Sequence, residues 1–472
     1  MVEPLWTFEG IAAATGASLP GPGAATGVSI DSRTLQPGDL FVAIKGERMD
    51  GHKFVQAAFE RGASAAIVEA GFEDPLTPAS DRPLFRVPDT LEALNALARA
   101  SRERSGARIA AVTGSVGKTG TKEMLRLMLS ESGKTHASEK SYNNLWGVPL
   151  SLARMPADAR FGVFEIGMNH AGEITPLTQL VRPHIAIVTW IAPVHIEFFA
   201  SEAAIADAKA EIFEGFEQGG AAILPAGNDR FERLCAGARS WKAAIVPFGE
   251  RAHGGAELMS FVPGDAGSKV EASILGTKIA FELAAPGKHL VSNALAALAA
   301  VKLMGADVDA AAAALATFEA PEGRGRRQRF ETPAGPVLVI DETYNANPAS
   351  MRAALQVLGA IPRNSYARRI AVLGDMLELG NASPEFHAGL AEVIDANDID
   401  LVFCAGPCMA HLYRQLPAEK RGAAADSSTE LLPAVQDAVR GGDAVTVKGS
   451  LGSRMGLVAE ALRVNLSKSP HG

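Results

Sequence analysis

Short apolar blocks alternate with amphipathic stretches along this chain, a rhythm that predicts buried strands joined by helices. Blocks at 27–30, 40–44, 65–68 and 84–87 read as strands, with helical periodicity over 54–61 and 90–105. The block 109–112 runs into Gly114 and Gly117. A helical pattern over 119–130 follows, with Met124, Leu125, Met128 and Leu129 on one face. Strands are expected again at 161–167 and 185–189. A helix over 201–216 opens on Ser201 as N-cap and carries Ile205, Lys209, Ile212 and Phe216 on one stripe. Residues 250–284 turn glycine-rich, then alternate apolar and polar at 270–274 and 278–283, as antiparallel strands of a small appended β lobe do. An alanine-rich helix ends near Met304, and strands recur at 337–340, 370–373, 401–404 and 444–447. The expectation is an α/β chain in three units, 1–107, 108–324 and 325–472. The central unit is built on a mostly parallel sheet and the last is doubly wound.

Composition narrows the picture modestly. At 472 residues the chain is long enough for about three cores. A net charge of −8 without a long basic run leaves no electrostatic footprint for nucleic acid or an anionic membrane. The apolar stretch 185–191 is far too short to span a bilayer, so no membrane insertion is expected. No basic-then-apolar leader is visible at Met1–Trp6, and Cys235, Cys404 and Cys408 cannot build a disulfide framework. These features suggest a cytoplasmic protein with a frayed tail after Ser467.

Candidate chemistry gathers at strand ends. Thr113-Gly114-Ser115-Val116-Gly117-Lys118-Thr119 is a shortened phosphate-binding loop, with Val112 where the longer pattern has glycine. Its backbone N–H groups and helix N-terminus would cradle a nucleotide triphosphate. Lys118 would reach the outer phosphates, and the Thr119 hydroxyl would bind magnesium. Glu165 is an acid in an apolar strand, which is costly unless paired or bound to a cation. It is a candidate metal ligand, against a salt-bridged core glutamate. His195 follows the next strand; a lone loop histidine is the plainer reading. Lys209, on an apolar stripe, either snorkels or sits shielded with a lowered pKa. Asn293 would approach a base or simply face solvent. The cluster Arg324, Arg326, Arg327 and Arg329 suits a phosphate clamp or an interdomain contact. In the last unit, residues 341–348, 374–380 and 448–450 place three polar clusters after three strands, which points to one crevice. In the first unit, Asp31-Ser32-Arg33-Thr34 and 50–54 are binding loops or plain turns.

Taken in order, these clusters resemble the Mur ligase family along almost the whole chain. The runs 31–44 and 50–54 resemble the family's UDP-substrate segment, and 113–119 its ATP loop. The stretches 142–150, 344–348 and 373–380 resemble the branch that adds D-alanyl-D-alanine to UDP-N-acetylmuramoyl-tripeptide. The Asp-Asn-Pro-Arg signature of the diaminopimelate-adding branch is missing. The resemblance implies three domains: a UDP-substrate domain, a central ATPase-like domain with a parallel sheet, and a C-terminal Rossmann-like domain for the dipeptide. It implies an ATP- and magnesium-dependent amide ligase of peptidoglycan precursor synthesis, acting as a monomer through an acyl phosphate. By it, Glu165 and His195 would ligate magnesium and Lys209 would be carbamylated. Asn293, Arg324 and Asp341 would meet the nucleotide, and Ser32, Arg33, Asn143, Asn144, Asn345 and Asn347 the other substrates. Gly120 departs from the family, which more often has a hydroxyl residue there. The rival readings are a folylpolyglutamate synthetase-like ligase, which leaves 31–34 unexplained, and a P-loop switch ATPase, which leaves the C-terminal clusters unexplained.

Overall fold

The computed structural model describes residues 3–46, 49–73, 82–139, 141–194, 196–264 and 267–467. His195 and the tail beyond Ser467 lie outside the described residues. The first part forms a four-stranded parallel sheet, Gly27–Ser29, Asp39–Val42, Ala65–Glu69 and Leu84–Val87, in sequential order. Helix Thr90–Arg104 starts on the Asp89 cap and buries Leu94 and Leu97 in the same core. The next sheet is tied to this unit by buried polar contacts. Arg102 donates to the Val181 and Arg182 carbonyls at 2.9 and 3.0 Å, and Trp6 Nε1 to the Ala153 carbonyl at 2.8 Å.

The central sheet has nine strands. Third from one edge is β1 (Arg108–Thr113), flanked by β2 (Phe161–Glu165) and β3 (Ile185–Val188), all parallel. β1 is buried on both faces, which is why it reads as a continuous apolar run rather than an alternation. The small β lobe expected as an appendage of the main sheet is joined to it edge to edge, as its outermost strands. Ala256–Pro263 pairs parallel with Ala244–Gly249 and antiparallel with Ser268–Ile274. Gly255 permits the join, since a Cβ there would collide with the Pro247 carbonyl.

The helix expected over 201–216 is shorter. It is α-helical over Glu202–Ala210, called α2 below α1 (Lys118–Ser130), and then tightens into a 3₁₀ turn, Glu211–Gly215. Tertiary packing sets the break. The Glu211 carboxylate accepts from the Gly172, Ile174 and Thr175 N–H groups at 2.7 to 3.2 Å, and Thr178 Oγ1 donates to the Ile212 carbonyl at 2.8 Å. The alanine-rich helix α3 (Lys288–Leu303) lies across the sheet with ten buried side chains between Val291 and Val301.

The last part is a six-stranded sheet containing β4 (Val337–Glu342), β5 (Arg368–Gly374) and β6 (Asp443–Lys448), parallel in the order β4-β6-β5. Helix α4 (Pro348–Gly359) follows β4. The arginine cluster is mostly an edge strand, Arg326–Phe330, antiparallel to β4, and Arg329 pairs with Glu331. Arg324, set off by Gly323 and Gly325 at φ +71° and +99°, reaches Ser141 of the central unit. No helix among the described residues is long and apolar enough to cross a membrane.

Candidate active site

The glycine loop leaves β1 at Thr113, and Gly114 and Gly117 adopt φ +148° and +88°. Both need glycine. A Cβ on Gly114 would collide with Thr189 Oγ1, and one on Gly117 would lie 2.9 Å from Asn293 Oδ1. The loop is clamped from β3 and beyond: Thr189 Oγ1 donates to the Val116 carbonyl at 2.5 Å, and Ser115 Oγ to the Ala192 carbonyl at 2.9 Å. Helix α1 begins on Gly117 without a side-chain cap, so its first N–H groups remain available to an anion. Lys118 Nζ folds back on the Gly114 carbonyl at 2.6 Å. Burial lowers its pKa and Arg324 adds to this, while Glu165 opposes them.

Beside the loop, Glu165 is fully buried. Thr119 Oγ1 donates to one carboxylate oxygen at 2.8 Å and Asn143 Nδ2 to the other at 2.7 Å. A buried carboxylate held by a hydroxyl and an amide beside a lysine is a hard-oxygen corner. Its donor set fits magnesium, which takes one or two protein oxygens and fills the rest with phosphate oxygens and water. No group of three or more metal-binding side chains occurs among the described residues. The second layer was not legible in the sequence. Lys122 is completely buried, donates to the Ser138 carbonyl at 2.7 Å and pairs with Glu123 at 2.8 Å. Ser138 Oγ in turn receives the Glu165 N–H at 3.4 Å.

Lys209 is 2% exposed, on the stripe with buried Ile205 and Ile212. Burial pushes its pKa well below that of an ordinary lysine, and Lys118 pushes the same way, against Glu211. The snorkelling alternative does not match this placement.

A cleft of about 890 Å³ opens between the central and last sheets. One wall carries Ser115, Val116, Gly117, Lys118, Asn143, Glu165 and Asn293; the other carries Arg324, Asn345 and Asn347. Arg324 spans the gap: its guanidinium sits 4.0 Å over the Tyr344 ring and donates to Ser141 Oγ at 3.1 Å. Other candidates stand elsewhere. Asp341 is buried, with Oδ1 accepting from Thr343 N and Oγ1 at 3.1 and 2.6 Å, and its neighbour Glu342 lines the cleft instead. Asn144 Oδ1 accepts from the Trp146 and Gly147 N–H groups where the chain enters the helix Gly147–Ala153. Ser32 and Arg33 belong to the first unit, where the exposed Arg33 pairs with Asp31 at 2.8 Å. Thr113 Oγ1 is buried under the loop with no partner among the described residues. One cleft residue, placed by sequence reasoning in the polar cluster 448–450, was given no individual role. Lys448, 2% exposed, donates to the Asn345 carbonyl at 2.9 Å and to Glu342 at 3.2 Å. A charged residue ending an apolar strand was the available signal. Asp375, which sequence reading placed in the crevice, accepts from the Met409 and Cys408 N–H groups at 2.8 and 3.3 Å.

Comparison with known proteins agrees with this geometry. Residues 24–102 match the profile described as the Mur ligase family catalytic domain, 112–301 the Mur ligase middle domain, and 325–451 the Mur ligase glutamate ligase domain. The UDP-N-acetylmuramoyl-tripeptide–D-alanyl-D-alanine ligase of Rickettsia prowazekii is 31% identical over 460 residues, covering 97% of this chain and 99% of that protein. A crystal structure of MurF from Acinetobacter baumannii superposes with a TM-score of 0.84 at 30% identity, over 99% of this chain and 100% of that one. The MurF ligase of Thermotoga maritima, solved in complex with ADP, gives 0.76 at 26% identity, over 94% and 98%.

Proposed function

The chain belongs to the Mur ligase family, and from that premise we propose that it joins D-alanyl-D-alanine to UDP-N-acetylmuramoyl-tripeptide at the expense of ATP, in peptidoglycan precursor synthesis. The observation that carries this reading is the shared cleft: the phosphate loop forms one wall and the polar loops after β4 and β6 the other. The tripeptide's terminal carboxylate attacks the γ-phosphorus of ATP, ADP leaves, and an acyl phosphate forms. The free amine of the dipeptide then attacks the acyl carbon, loses its proton, and phosphate departs from the tetrahedral intermediate.

Such chemistry depends on positioning and charge neutralisation. The uncapped start of α1 and the Gly114–Gly117 backbone would bind the phosphates, and Lys118 would leave the Gly114 carbonyl to meet the transferring group. Magnesium would supply charge neutralisation on the phosphate oxygens when bound, held by the Thr119 hydroxyl and Glu165, with His195 proposed as a further ligand. Lys209 would act as its carbamate, an anion made possible by a neutral, shielded amine. Asn293 would approach the adenine, Arg324 and Asp341 the phosphate or ribose, Ser32 and Arg33 the UDP moiety, and Asn143 and Asn144 the peptide. The divisions 1–107, 108–324 and 325–472, a monomeric state and a cytoplasmic location belong to the same reading. The cleft walls exclude water from the acyl phosphate when they close.

The test is phosphate release with D-Ala-D-Ala against other amines, with and without the UDP-tripeptide. Release that needs both substrates supports the ligase. Release that ignores both points to a plain ATPase. Use of glutamate with a folate in place of the UDP substrate points to the folylpolyglutamate rival.

A further inference from the structure

On the second wall of the cleft, α4 starts with Asn347 and Pro348. Asn347 Oδ1 accepts from Ser350 N at 2.9 Å and Asn347 N donates to Ser350 Oγ at 3.0 Å, a closed capping box. Pro348 has no N–H. The side-chain donor left over is Asn347 Nδ2. It belongs to a side chain 2% exposed that lines the cleft, and it has no hydrogen-bond partner among the described residues. A buried donor left unpaired is costly, so its retention at a cleft wall points to an acceptor brought by a ligand. The surroundings select the charge of that acceptor. The positive end of α4 lies behind the amide. The Lys448 ammonium lines the same cleft, shared with Glu342 at 3.2 Å, and holds the same loop through the Asn345 carbonyl at 2.9 Å.

We propose that this corner is the subsite for the carboxylate end of the incoming dipeptide, an inference that rests on the ligase reading above. The phosphates have their own cradle on the opposite wall, at the uncapped end of α1. The dipeptide carries an amine at one end and a carboxylate at the other. Anchoring the carboxylate at Asn347 sends the amine across the cleft toward Lys118 and the acyl phosphate. Asn347 thereby reads the free acid and fixes the direction of attack.

Asn347→Asp tests this in the full-length enzyme. It keeps the oxygen that caps Ser350 N, and aspartate caps as well as asparagine. It replaces the Nδ2 donor with an anionic oxygen. Phosphate release is measured with UDP-tripeptide, ATP and either D-Ala-D-Ala or its C-terminal amide. The native enzyme should prefer the free acid by about tenfold or more in kcat/KM, the size of one hydrogen bond to a charged group. Asn347→Asp should raise the KM for the free acid by about as much and abolish the preference for it, while the KM for ATP stays unchanged. Asn347→Ser, which keeps the cap but shortens the side chain, should behave likewise and stands in if the aspartate variant is misfolded by its melting curve. Equal use of acid and amide by the native enzyme overturns the subsite. So does a rise in the KM for ATP that matches the rise for the dipeptide, since the donor would then serve the nucleotide. A native enzyme that releases no phosphate with any amine defeats the ligase reading itself, and the subsite with it.

Discussion

Two strand-to-helix turns face each other across the cleft, and they solve the start of a helix in opposite ways. After β1 the chain turns on Gly117 in a left-handed conformation and α1 begins with no side-chain cap. After β4 it turns on Asn347, and α4 begins with a complete capping box and Pro348 in its first turn. An uncapped helix end leaves orphan N–H groups and an unopposed dipole, which is tolerable where a polyanion comes to satisfy them. A capped end is stable alone and has only a single side-chain donor to spare. The difference teaches which wall needs its ligand: the glycine turn is built around phosphate, whereas the asparagine turn completes its cap before any substrate arrives and leaves Asn347 Nδ2 unpartnered among the described residues.

The comparison breaks most visibly at Lys118. Lys118→Ala should lower phosphate release by roughly 10²–10³-fold or more, the scale for removing one preorganised charge-stabilising group. Far-UV circular dichroism should be unchanged, because among the described residues the lysine bonds to the Gly114 carbonyl of its own loop. Near-normal turnover would remove the phosphate wall from the comparison.

Lys209 comes next. Lys209→Ala should cost roughly 10–100-fold, the range for a group that supports a metal site, and added acetate should restore part of the loss by standing in for carbamate oxygens. A nearly silent Lys209→Gln would return the residue to the surface-lysine reading. Its pH behaviour has a definite sign. The folded-state pKa is depressed, so between that value and the ordinary lysine value the unfolded chain binds the extra proton and stability rises with pH. In bicarbonate-free buffer Lys209→Met should therefore melt higher than the parent near pH 7, with the gap narrowing toward pH 10. A constant gap across that range would contradict the shielded amine.

Smaller effects sharpen the contrast between the two helix starts. Asn347→Ala should lower stability by about 1 kcal/mol through loss of the cap, read from denaturant midpoints at constant m. Gly120→Ala, in the first turn of α1, should raise stability by up to about 1 kcal/mol. A Cβ there meets only Asn293 Nδ2 at 3.8 Å and Leu290 at 3.9 Å, both ordinary contacts. Activity should be unchanged, and a loss would mean the open space at Gly120 is used by the nucleotide.

The alternation of apolar blocks by itself determined the α/β class and most strands of the three larger sheets, because burial on both faces writes a strand as an unbroken apolar run. The order Thr113 to Thr119 determined the phosphate loop, since only glycines accept the φ values that turn requires. Pairing and depth belonged to the tertiary structure. The alternation placed a β lobe at 250–284 appended to the main sheet; how its first strand joins, parallel to Ala244–Gly249, depended on Gly255 meeting Pro247, a contact made by chain packing. The end of α2 was set by Thr178 and by the Glu211 carboxylate reaching another helix. Lys122 reads as an ordinary helix-surface lysine until the Ser138 carbonyl is brought over it, and Asp341 and Glu342 are interchangeable in sequence until the strand turns one inward and the other to the cleft. Local residue pattern fixes which backbone states are affordable. Which polar atom finds a partner, and which is left for a ligand, is decided only when distant segments meet.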